Sequence, residues 1–117
     1  MSETIEFART HVDEARQVAW AALAAWLAGT ARRMDQEVRE YPSPIARCDA
    51  QLPKLLEQRG RAHEVLRAMA QGVGAEGAPS PEAIRAILEA GPATDEDAEA
   101  ALRERLRSSL HALPCLD

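Results

Sequence analysis

Val18-Ala19-Trp20-Ala21-Ala22-Leu23-Ala24-Ala25-Trp26-Leu27-Ala28-Gly29-Thr30 is the stretch on which the reading of this chain turns. Val18 to Ala28 is its longest wholly apolar run, and it is too short to span a bilayer, which needs about 20 residues. Upstream and through it, Ile5, Ala8, Val12, Ala15, Ala19, Ala22 and Trp26 recur in alternating steps of three and four. That spacing is one continuous helical stripe. Trp20, Leu23 and Leu27 form a second stripe beside it. The two indole rings sit about 120° apart around a helix axis. A helix apolar nearly all round has to be covered on more than one side.

The first helix is therefore expected from about Ser2 to Glu40, unbroken at Gly29, with Thr30 the alternative start of a second piece. Tyr41-Pro42-Ser43-Pro44 stops it and restarts the chain, with Ser43 as cap and Pro44 in the first turn. The second helix runs to about Gln71 on the stripe Ile45, Cys48, Leu52, Leu55, Arg59, Ala62, Leu66, Met69 and Val73. Pro53 should kink it and Gly60 weaken it. Gly72 to Pro79 reads as a flexible linker. Ser80-Pro81 opens a short third helix whose inner side is Ile84, Ile87 and Leu88, and Gly91-Pro92 ends it. Thr94 is expected to cap a fourth helix. Asp95, Glu96, Asp97 and Glu99 then complement its dipole, and Ala98, Leu102, Leu106, Leu110 and Leu113 face inward.

The expected fold is all-α and bundle-like: a long antiparallel helical hairpin, a short third helix and a longer fourth. Residues 1–117 make one domain, divided into a hairpin (1–71), a glycine-rich linker (72–79) and a C-terminal helix pair (80–113), and the C-terminal part reads as complete. Composition agrees. Apolar residues are 46% of the 117 and charged residues 28%, an ordinary globular balance. Val and Ile are sparse, which leaves little material for a sheet.

Charge and cysteine content exclude several function classes. A net charge of -5 offers no basic face for phosphates, so no nucleic acid is expected as a partner. Cys48 and Cys115 make no disulfide framework. The first residues, Met1-Ser2-Glu3, do not read as a basic leader, and a reduced, cytoplasmic setting is the default expectation. Arginine supplies nearly all the positive charge, which together with abundant alanine suggests a GC-rich bacterial genome.

Chemistry-bearing groups are few. Cys48, His63, His111 and Cys115 are soft ligand types without a pairing motif, so no metal and no cofactor is expected. No Glu-x-x-His pair occurs, and the acids fall mainly off the apolar stripes as solvated faces. Around His63, Ala62-His63-Glu64-Val65-Leu66-Arg67-Ala68 resembles the histidine phosphotransfer domains, which are helical bundles of similar size. The resemblance implies an exposed phosphoryl-accepting histidine. Leu66 stands where that family has a basic residue, Arg67 comes one position late, and the family's glycine is missing. A partly buried core histidine is the alternative.

Arg59 interrupts the second apolar stripe, and a buried arginine needs a carboxylate or an anion. With Arg32, Arg39 and Arg47 it forms the candidate anion-contact set, against local pairing with Asp35, Glu37, Glu40 and Asp49. A first helix of about 57 Å does not fit inside a compact chain of this size, whose radius of gyration is about 13 Å. A homodimer with that helix near the two-fold axis is expected, with Trp20, Leu23, Trp26 and Leu27 as the self-association or partner face. The leading functional expectation is a non-catalytic protein that works by protein–protein contact. A small-anion binder or enzyme with a pocket arginine, and a phosphotransfer module, are the rivals.

Overall fold

The computed structural model describes residues 2–42, 51–73 and 78–111, with side chains from Val12 onward. Helix α1 (Ser2–Arg39) is followed by α2 (Gln51–Gln71), α3 (Pro81–Glu89) and α4 (Asp97–Leu110). The fold is all-α and bundle-like. Among the described residues the nearest thing to a strand is a single bridge between Val73 and Pro79.

α1 is unbroken through Gly29. A glycine inside a helix costs about 1 kcal/mol relative to alanine. Burial of Leu27, Thr30, Ala31 and Met34 on either side of it offsets that. Thr30 is thus a buried helical residue and no cap. α1 ends as expected just before Tyr41-Pro42, because a proline drives its predecessor out of helical geometry. The Ser43-Pro44 restart lies outside the described residues, as do Ile45, Arg47, Cys48 and the 74–77 part of the linker.

α1 is the spine. α2 runs antiparallel along one side: Asp35 meets Arg59 and His63, and Trp20 lies beside Gly72. α4 runs antiparallel along another: Arg33 pairs with Glu96, and the Arg16 Nε donates to the Ser109 carbonyl at 3.2 Å. α3 closes the space between α2 and α4. Leu23, Leu27, Met69, Ile84 and Leu106 are fully enclosed at the centre, with Trp20, Val65 and Ile87 around them. Each such side chain contributes about 1.5–3 kcal/mol by leaving water.

Local signals set the shorter elements. The Ser80 hydroxyl accepts from the Ala83 N–H at 3.1 Å, so Ser80-Pro81 caps α3 as read from sequence. Gly91 takes a φ of +80° just past the end of α3, a backbone state that glycine reaches without strain. The N-cap of α4 is Glu96 and not Thr94, which stands two residues earlier. The Thr94 hydroxyl accepts from the Glu96 N–H at 3.2 Å.

The inward faces differ in places from the sequence stripes. On α4, Ala98 is exposed, while Glu99, Arg103, Leu106 and Ser109 are buried and Leu102 and Leu110 half-buried. On α2, Val65 is buried in the position expected for Leu66. On α1, Ala15 is exposed. Gly72 is more than a linker residue: a Cβ there would stand 3.0 Å from the Ala83 Cβ and 3.3 Å from the Trp20 ring.

The molecule measures 70 × 25 × 18 Å, with a radius of gyration of 17.8 Å. It is elongated, as a long first helix requires.

Candidate functional site

The four residues expected to form the partner face are placed mainly inside the chain. Trp20, Leu23 and Leu27 belong to the intramolecular core, and Trp26 is half-buried against it. The stripe was apolar because α2, α3 and α4 need it. Burial in the single chain takes Trp20, Leu23 and Leu27 out of that expected face, and Trp26 stays half-buried at its edge.

Among the described residues, Arg32, Arg39 and Arg59 are engaged in different local contacts. Arg59 keeps 36% of its side chain exposed, and its Nε lies 3.6 Å from Asp35 Oδ1. The carboxylate it requires is supplied by α1, so no foreign anion is needed. Arg39 directs its Nε to the Asp35 carbonyl at 3.5 Å. Arg32 is exposed and reaches back over Gly29. Arg47 lies outside the described residues.

His63 is exposed on α2, not a core histidine, and its Nε2 lies 3.0 Å from Asp35 Oδ1. The hydrogen bond from His63, with the charges of Arg59 and Arg39 beside it, holds the Asp35 carboxyl below its ordinary 3.8 against some desolvation. Asp35 is thus the hub of the α1–α2 surface polar contact. Its contact on the histidine is with Nε2.

One constellation escaped sequence reading. Glu99 is completely buried. Its carboxylate accepts from the Ala93 N–H at 2.8 Å, the Thr94 N–H and hydroxyl at 2.7 Å each, and the Arg103 Nε at 2.8 Å. Burial pushes this carboxyl up. The bonds from Ala93, Thr94 and Arg103 outweigh that and bring it below 4.5. The Arg103 Nη1 donates to the Ile87 carbonyl at 3.0 Å. The cluster therefore ties the α3–α4 connection to both helices. It acts as a structural lock: both Glu99 oxygens accept hydrogen bonds and the side chain has no exposed surface. The Arg103 Nη2 is buried without a partner among the described residues. The sequence signal was present as Glu99 and Arg103 four apart beside Leu102 and Leu106, but the acid run concealed it.

The described residues line grooves that open to solvent. One, about 570 Å³, lies between α2 and α3 over Val65, Ala68 and Ile87, with Arg61 and Glu64 at its edge. Another, about 490 Å³, lies between α1 and α4, with Glu14, Val18 and Arg105 on its rim. The second also holds Ser108 and Ser109, and the Ser109 hydroxyl donates to the Leu106 carbonyl. Among the described residues, no three His, Cys, Asp or Glu side chains converge as metal ligands, and no helix is long and apolar enough to cross a membrane.

The remaining feature is the outward side of α1. No residue between Arg16 and Arg32 is charged. The core claims one arc of that stretch. The opposite arc carries Val18, Ala21 and Ala25, all exposed. Val18, at 53%, is one of two exposed large apolar side chains in the described structure, with Leu56. A solvent-facing helix side normally carries charges, and this one has none for about four turns.

No family model, curated protein or solved structure matches the chain.

Proposed function

We propose that this protein acts without catalysis, through protein–protein contact made by the outward side of α1. The observation that supports the reading is the uncharged exposed arc over Val18, Ala21 and Ala25 on a helix whose other side is already packed. Water-facing apolar surface on a rigid element is what a partner helix covers with gain. The small side chains let a partner backbone come close, and α1 carries the arc on one unbroken helix.

Position-specific photo-crosslinking in the cells that make the protein tests this. A photoreactive residue at Ala25 should give discrete adducts, and one at Arg85, exposed on α3, should not. Absence of adducts at Ala25, or equal adducts at both positions, overturns the reading.

A further inference from the structure

We propose that the occupant of this arc is a second copy of the same chain, its α1 laid antiparallel across the first with the two-fold axis between Ala21 and Ala25. The inference rests on the protein-contact reading above and names its partner.

Residues on a helix advance by about 100° each. Glu14, Val18, Ala21, Ala25 and Arg32 therefore fall on one line along α1, opposite the buried line of Leu23, Leu27 and Met34. All five are exposed. The line is acidic at one end, basic at the other and uncharged between. Neither Glu14 nor Arg32 has an ion-pair partner among the described residues, whereas Arg33, one position on, is engaged by Glu37 and Glu96.

This charge order is self-complementary under one operation only. A two-fold axis between Ala21 and Ala25 sets Ala21 against the second copy's Ala25. It sets Val18 against the second copy's Ala28, and Glu14 against the second copy's Arg32. Symmetry repeats each pair, which is the property of an isologous interface. The parallel alternative sets Glu14 on Glu14 and Arg32 on Arg32, and like charges face each other at both ends. Antiparallel helices also oppose their dipoles favourably. Alanines at the crossing allow axes about 8 Å apart, the close end of helix packing.

The contact runs about 27 Å along the helix. With small side chains it falls below the roughly 1,200 Å² of a standard stable interface. Association is therefore reversible and concentration-dependent, and the ends of the line contribute orientation more than affinity.

The test is the mass of the purified full chain by light scattering and sedimentation equilibrium, followed to millimolar concentration. The expected result is a rise from 12.8 kDa toward twice that value. Glu14→Arg alone and Arg32→Glu alone each set like charges together at both ends of the antiparallel pair, and each should dimerise less than the parent at the same concentration. An equimolar mixture of the two variants should dimerise again, because each end then joins opposite charges. Both positions are exposed, and circular dichroism confirms that the variants fold. A parent that stays at 12.8 kDa, single variants that dimerise like the parent, or a mixture that stays monomeric each overturns the proposal. A monomer that still forms Ala25 adducts with a different protein overturns this inference alone. A monomer without adducts overturns the contact reading with it.

Discussion

The Nε of Arg103 lies 2.8 Å from Oε2 of Glu99, and the two side chains are 7% and 0% exposed. A buried pair of this kind is costly to break from one side, because the survivor keeps its charge without its partner. Arg103→Leu or Glu99→Ala should each lower stability by about 3–5 kcal/mol in urea unfolding. The double variant should lose clearly less than the sum of the two, since coupled groups are not additive. Strictly additive losses would mean that the pair is not a unit.

The same carboxylate sets an acid limit. Glu99 is held below its ordinary 4.5, and Asp35 below its ordinary 3.8. A depressed carboxyl contributes stability that is present above its ordinary value and lost as pH falls through the folded one. The chain should hold its stability from neutrality to about pH 5 and lose it steeply below pH 4.5. Glu99→Gln should start lower and flatten that acid slope. An unchanged slope in the variant would assign acid sensitivity elsewhere.

Two glycines should respond to alanine with opposite signs. A Cβ at Gly72 would press on the Ala83 Cβ at 3.0 Å, and both neighbours are fixed by the packing of α3 and Trp20. Gly72→Ala should cost about 1–3 kcal/mol. Gly60 faces open space inside α2, with nothing within 4 Å of a Cβ. Gly60→Ala should gain about 0.5–1 kcal/mol by helix propensity and a less free unfolded chain. Thermal unfolding of the two variants separates the cases.

Opposite sides of α1 should separate folding from association. Leu23 is wholly enclosed, so Leu23→Ala should cost about 2–5 kcal/mol. Ala25 is exposed, and Ala25→Glu should stay within about 0.5 kcal/mol of the parent in unfolding experiments. Its effect should appear in mass against concentration. A large stability loss from Ala25→Glu would mean that the exposed arc is part of the core.

The long first helix and the Ser80-Pro81 cap were legible from spacing and capping chemistry, whereas spacing left a break at Gly29 open until burial on both sides of it was seen. The need for cover on more than one side of Val18 to Ala28 was legible too. Periodicity cannot say which arc the chain covers itself. Trp20, Leu23 and Leu27 look like an interface in isolation, because nothing local reveals that α2, α3 and α4 return to build a core on them. Glu99 was misread for a related reason. Its neighbours Asp95, Glu96 and Asp97 are exposed, and they supply a sufficient local explanation for an acid at that position. Its burial depends on Ala93 and Thr94 folding back, which is tertiary information.

The 93-residue separation between Arg16 and Ser109 bears on how the chain is made. α1 is translated before the elements that pack on it, and α4 is the last of these. Until α4 has left the ribosome, Ala19, Leu23 and Leu27 lack part of their cover, and the nascent helix presents an apolar side in addition to its permanent one. Native packing is consequently a late event in synthesis, governed by long-range closure and not by local helix formation. A chaperone that binds apolar helices during translation would meet this chain early and release it only when α4 arrives.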